Sequence, residues 1–160
     1  MFKNLGRLCS TLLLILAMAA LEPAIAAEAS PSGIVKVRSA FPMAETIVRL
    51  KQDIEAKGIK FFALIDQAQL ASEAGIKLRP STLLIFGNPP LGAQFLTSNP
   101  DAGLDWPVRL LVRQDEDGTV WAVYSDFSWI ARRYEIKDRD AQFKMASTVI
   151  ASITSSVETK

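Results

Sequence analysis

The strongest constraint on this chain is a run of ten residues, Ser81 to Pro90, in which Ser-Thr-Leu-Leu-Ile-Phe is followed at once by Gly-Asn-Pro-Pro. Apolar and β-branched residues without alternation are the pattern of a strand covered on both faces. Two adjacent prolines then remove two ladder donors, and Gly87 and Asn88 tolerate the backbone angles of a sharp exit, so the strand stops at Phe86. A buried strand of this kind predicts a sheet with helices packed on it. It also leaves Asn88 at a carboxyl strand end, where open α/β sheets hold ligands. The same asparagine serves equally well as a cap for the turn that follows, with no ligand at all.

The flanking segments supply the rest of such a fold. Ile34, Val35 and Val37 form a first strand with Lys36 and Arg38 on its solvated side. From Pro42, the apolar residues Ala44, Ile47, Val48, Leu50, Ile54 and Ala56 recur at helical spacing up to Gly58. Lys60 to Ile65 is a second apolar strand ending at Asp66. That aspartate reads as the N-cap of a short helix, Gln67 to Ala74, and a capping carboxylate can also point into a cleft. A helix through Leu91, Phe95 and Leu96 ends at Asn99-Pro100-Asp101. It leads into a loop in which Leu104 and Trp106 are expected to be buried anchors. Val108 to Arg113 and Val120 to Tyr124 flank an acidic turn ending in Asp-Gly, the signature of a hairpin. The turn lacks the ligand spacing of a calcium loop. Phe127 to Tyr134 reads as a short helix, and Asp138 as the cap of a last one with the apolar stripe Phe143, Met145, Ala146, Val149, Ile150 and Ile153, which is core or dimer surface. The fold class is therefore α/β of the α+β two-layer kind. It has one mixed sheet of about five strands and the order β-α-β-α-β-α-β-β-α-α.

The first 26 residues read as a secretory signal, with Lys3 and Arg7 before the apolar stretch Leu8 to Leu21 and Ala24-Ile25-Ala26 as a small-x-small cleavage site. The apolar stretch is short of the ~20 residues that span a bilayer. A periplasmic or secreted protein is expected, with no membrane association after cleavage. Residues 27–33 read as a flexible linker, 34–157 as one domain and 158–160 as a disordered tail. Cys9 leaves with the signal, and the chain has no histidine. Disulfides, thiolate chemistry, cysteine-histidine zinc sites, Ser-His-Asp triads and histidine-ligated haem are thereby excluded for the remainder, and neither cofactor nor metal is expected. The whole chain has a formal net charge of +1, and the signal carries Lys3 and Arg7 against Glu22, so the rest is formally neutral. No basic stripe invites nucleic acid, and self-association as a homodimer is compatible with that charge.

Two motifs, Leu78-Arg79-Pro80-Ser81-Thr82-Leu83-Leu84-Ile85-Phe86-Gly87-Asn88-Pro89 and Ala102-Gly103-Leu104-Asp105-Trp106-Pro107 before an Asp-Gly hairpin, resemble domain-of-unknown-function family three hundred and two, from about Val35 to Val157. The resemblance implies a small, often dimeric α/β domain without an assigned activity. It also implies a histidine where Gln67 follows Ile65-Asp66, and another near Tyr134. This chain has neither, so any histidine-dependent role of that family is lost or altered here.

Two functions compete on these residues. A binding or interaction module would offer Asp66, Gln67, Asn88, Ser125 and Asp126 to a small polar ligand in a cleft at the strand ends. A hydrolytic enzyme would instead use Asp66 and Asp126 as paired carboxylates, whose separation decides the chemistry.

Overall fold

The computed structural model describes residues 31–159. The expected signal segment 1–26 and most of the expected linker lie outside the described residues.

The elements follow in the expected order: β1 (Ile34–Arg38), α1 (Met43–Ala56), β2 (Lys60–Asp66), α2 (Gln67–Glu73), β3 (Ser81–Gly87), α3 (Pro89–Ser98), a 3₁₀ turn (Pro100–Leu104), β4 (Val108–Gln114), β5 (Val120–Ser125), α4 (Phe127–Arg133) and α5 (Asp140–Ser155). The five strands form one sheet in the order β1-β5-β4-β3-β2. Every neighbouring pair is antiparallel, so the sheet is uniform rather than mixed. The reason lies in the connections. α2 has seven residues, about 10 Å of helix, and stays at the end of the sheet where β2 finishes. β3 starts there, with Thr82 opposite Asp66, and runs back.

Register sorts the strand residues into two faces. Val37, Ala122, Val112 and Thr82 form one cross-strand row, and Leu110 and Leu84 lie in the next row of the same face. Leu50 and Ile54 of α1, Phe95 of α3, Ile130 of α4 and Ala146, Ile150 and Ile153 of α5 join that face in a single hydrophobic cluster. The reverse face carries the row Lys36, Val123, Leu111, Leu83 and Ile65, with Arg38, Trp121 and Arg113 beside it.

Three boundaries differ from expectation. Gly33 belongs to the domain rather than to a linker: it is buried, and its carbonyl accepts from the Asp126 amide at 2.8 Å. It has φ +74, and a β-carbon there would meet the Trp129 ring at 2.2 Å, so only glycine fits. Glu158 and Thr159, expected in a disordered tail, are tied down, with the Thr159 amide donating to the Arg38 carbonyl at 3.1 Å. Val157 is fully buried, the Ala40 amide donates to its carbonyl at 2.8 Å, and Ser39 and Glu158 form a bridge. Asp138 does not cap α5. Arg139 holds that position without a side-chain bond, while Asp138 pairs with the Arg139 guanidinium at 2.7 Å.

Candidate functional site

Antiparallel pairing decides which expected site residues can act together. Asp66 and Gln67 sit where β2 ends. Asn88, Ser125 and Asp126 sit at the opposite end of the sheet, because β3 and β5 run against β2. Each acid or amide at a strand exit caps the next helix: Asp66 accepts from the Gln69 amide at 2.9 Å, Asn88 from Leu91 at 3.1 Å and Asp126 from Trp129 at 3.0 Å. Gln67 accepts from the Ser81 hydroxyl at 2.7 Å. Asp66 and Asp126 are thus separated by the length of a seven-residue strand, about 20 Å, and by three strand spacings, about 14 Å. Two carboxyls so placed cannot flank one bond, so the paired-carboxylate hydrolase has no geometry here. For Asp126, burial pushes the carboxyl pKa up. Hydrogen bonds from the Ser128 side chain and from the backbone of Trp129 and Ser128, with Arg132 nearby, outweigh it and leave the pKa below its usual 3.8.

The Asn88 end holds a cavity that sequence reasoning missed. Its volume is about 380 Å³. Phe86 and Gly87 at the end of β3, Trp106 and Val108 before and in β4, Phe127 at the start of α4, and Ala146, Val149 and Ile150 on α5 contribute to its walls. Asn88 and Lys57 stand among the few polar groups. The signal was present in the last helix, whose stripe includes Met145, 57% exposed, and the half-buried Val149. A helix buried wholly in the core would hide both.

Trp106 is the anchor of this wall. Its indole abuts α3 at Gly92, where a β-carbon would fall 1.5 Å from Nε1. Phe95 meets it edge-on, with centroids 5.1 Å apart, and Phe127 at 6.1 Å. A larger depression of about 680 Å³ between α4 and α5 is more open, and its Arg132, Lys137 and Lys144 are only partly offset by Glu135 and Asp140.

Next to Trp106 in the chain, Asp105 centres a polar cluster that was also unforeseen. Asp105 is only 7% exposed, accepts from the Tyr134 hydroxyl at 2.6 Å and from Arg109 at 2.5 Å, and has Arg133 at 3.3 Å. Burial, then the hydrogen bond to Asp105, pushes the Tyr134 phenol pKa above its usual 10.0. Leu104, expected to be a buried anchor, is 67% exposed. Its neighbours Ala102 and Asp105 take the interior instead, because the 3₁₀ turn places Leu104 outward and the two arginines meet the charge of Asp105. Gln67, where the resemblance implied a histidine, and Tyr134, near which it implied another, serve different neighbours, Ser81 and Asp105. Among the described residues no group of three or more acidic, cysteine or histidine residues could hold a metal.

Comparison with known proteins adds a family and a fold. Residues 35–155 match the family model described as "Domain of unknown function DUF302". The chain is 36% identical over 124 residues to the "Fluoride-specific ion channel FluC 1" of Brucella suis biovar 1 (strain 1330), a match covering 77% of this chain and 49% of that protein. It is equally similar to the "Fluoride-specific ion channel FluC 2" of Brucella melitensis biotype 1, where 46% of the protein is covered. The chain spans about half the length of the curated relatives it matches. The crystal structure of an uncharacterized conserved DUF302 protein from Bacillus stearothermophilus shares the fold, with a TM-score of 0.72 at 20% identity, covering 79% of this chain and 98% of that one.

Proposed function

We propose that this chain, which belongs to the DUF302 family through residues 35–155, works as an exported small-ligand-binding domain whose ligand lodges in the cavity at the Asn88 end of the sheet. The observation that carries this reading is the cavity itself. At about 380 Å³ it falls within the range of small-molecule sites, and its composition is that of such sites, mostly apolar walls with a few placed polar groups. Asn88 Oδ1 caps α3 by accepting from the Leu91 amide, and its side-chain N–H groups can donate to a ligand. The ligand is therefore apolar in body, not the small polar molecule that the strand-end residues suggested. Export is supported by the charged start, short apolar core and Ala-Ile-Ala ending of residues 1–26. Mass spectrometry of the exported fraction should find Ala27 as the first residue.

Fluoride transport does not carry over from the curated relatives. The chain spans about half of them, and among the described residues no helix is long and apolar enough to cross a membrane. We read the shared half as an accessory domain.

A thermal-shift screen of the purified chain tests the site. A ligand at ~100 times its dissociation constant adds about 2.7 kcal/mol to stability. Val149→Trp, which fills the mouth, and Asn88→Gly, which keeps the turn but removes the amide, should each diminish that shift. A shift undiminished in both variants would move the site elsewhere.

A further inference from the structure

We infer that the ligand of this cavity is an apolar acid, a molecule with an aromatic or branched hydrocarbon body and one carboxylate-type head. The inference rests on the cavity being a ligand site and adds the chemical class. Lys57 is the single charged residue of the lining, and it is a cation. Its ammonium contacts Asp53 at 2.6 Å, but Asp53 is not part of the lining, and both side chains reach solvent, at 32% and 25% exposure. Pairs of this kind are weak, so the lysine can turn to a ligand anion at little cost.

Asn88, a polar residue of the lining together with Thr148 and Ser152, can donate to the same head. Asn88 Oδ1 accepts from Leu91 in the cap of α3, and the Asn88 N–H groups add donors to the lining. The Lys57 cation, the Asn88 N–H groups and the lack of any carboxylate in the lining favour a head that accepts hydrogen bonds and carries negative charge; of the two hydroxyls in the lining, that of Thr148 donates to the Lys144 carbonyl at 3.0 Å. The carboxyl end of α1 is at hand, with Lys57 as its C-cap and no basic residue in the last turn. A helix C-terminus repels an anion, so recognition must come from the Lys57 ammonium itself.

The body is set by the walls. Phe86, Trp106 and Phe127 present three aromatic rings, with Leu91, Val149 and Ile150 beside them. On the scale by which a cavity of roughly 150 Å³ admits benzene, this one takes about fifteen non-hydrogen atoms. That is the size of an aryl-alkanoic acid rather than of a long lipid.

Isothermal titration calorimetry of the purified chain with 4-phenylbutyrate and with its neutral isostere 4-phenylbutanamide separates the alternatives. The acid should bind about tenfold tighter than the amide, the advantage of an ammonium–carboxylate pair over an ammonium–carbonyl hydrogen bond. That preference should shrink at about 0.5 M salt. Lys57→Gln should weaken the acid far more than the amide and so bring the two to about the same level. Equal or weaker binding of the acid, or an acid preference that survives Lys57→Gln, overturns the chemical class while the ligand site stands. If neither compound binds, the cavity reading falls with it.

Discussion

Replacing Gly92 by alanine should reverse the usual sign of a glycine-to-alanine change in a helix. Gly92 is a buried residue of α3, and alanine at a helix interior ordinarily stabilises by about 0.5–1 kcal/mol. Here the new β-carbon would sit 1.5 Å from Nε1 of Trp106 and 2.3 Å from Cδ1 and Cε2. The obstacle is a rigid indole, held in turn by Phe95 and Phe127. Carbon contacts settle at about 3.5–4.0 Å, so the ring must shift by roughly 2 Å. Overpacking of this kind costs typically about 1–3 kcal/mol, and three clashing ring atoms argue for the upper end. After the helix-propensity gain, a net loss of ~2 kcal/mol is expected. Urea unfolding followed by circular dichroism should show a lower midpoint at unchanged slope. In a Trp106→Ala background the same alanine should be neutral or stabilising, which isolates the contact as a coupling. A neutral or stabilising Gly92→Ala in the otherwise unaltered chain would refute the packing argument.

Asp66→Ala should cost ~1 kcal/mol and Asp66→Ser should recover most of it, since serine caps as well as aspartate; chemical unfolding of the three proteins compares them. Tyr134→Phe, which removes the hydroxyl from the buried Asp105, should cost about 2 kcal/mol, a typical value for a hydrogen bond to a charged group. For Tyr134 the folded pKa is raised, so its contribution is complete below pH 10.0 and is lost as pH climbs through the folded value. Alkaline unfolding of the unaltered chain should be steeper than that of Tyr134→Phe. For Asp126 the folded pKa is lowered, so its contribution is present above pH 3.8 and is lost as pH falls through the folded value. Asp126→Asn should flatten that part of an acid titration of stability.

What was legible in the sequence was local. The stop at Phe86 follows from Gly87-Asn88-Pro89-Pro90, and Asp66, Asn88 and Asp126 act as caps because each acceptor lies three residues before its donor. The side of the sheet on which each strand ends was not legible, because a run such as Lys60 to Ile65 does not state whether its neighbour runs with it or against it. That one unknown split the expected cleft into Asp66 and Gln67 at one end and Asn88, Ser125 and Asp126 at the other. Asp105 was hidden for a related reason. Its partners Arg109, Arg133 and Tyr134 come from β4, α4 and the end of α4, and nothing near Asp105 in sequence marks it as interior. Residues 158–160 likewise read as a disordered tail, yet Glu158 bridges Ser39 and the Thr159 amide donates to the Arg38 carbonyl of β1 beside the buried Val157.

The most direct test of the account is a map of amide chemical shifts in the isotope-labelled chain as 4-phenylbutyrate or 4-phenylbutanamide is added. The account predicts shifts clustered at Gly87, Asn88 and Leu91, at Trp106 and Val108, at Phe127, and along Met145 to Ser152 of α5, with little change at Asp66, Gln67 and Ser81 across the sheet. Shifts centred on Asp66 and Gln67, or none at all with both compounds, would contradict it.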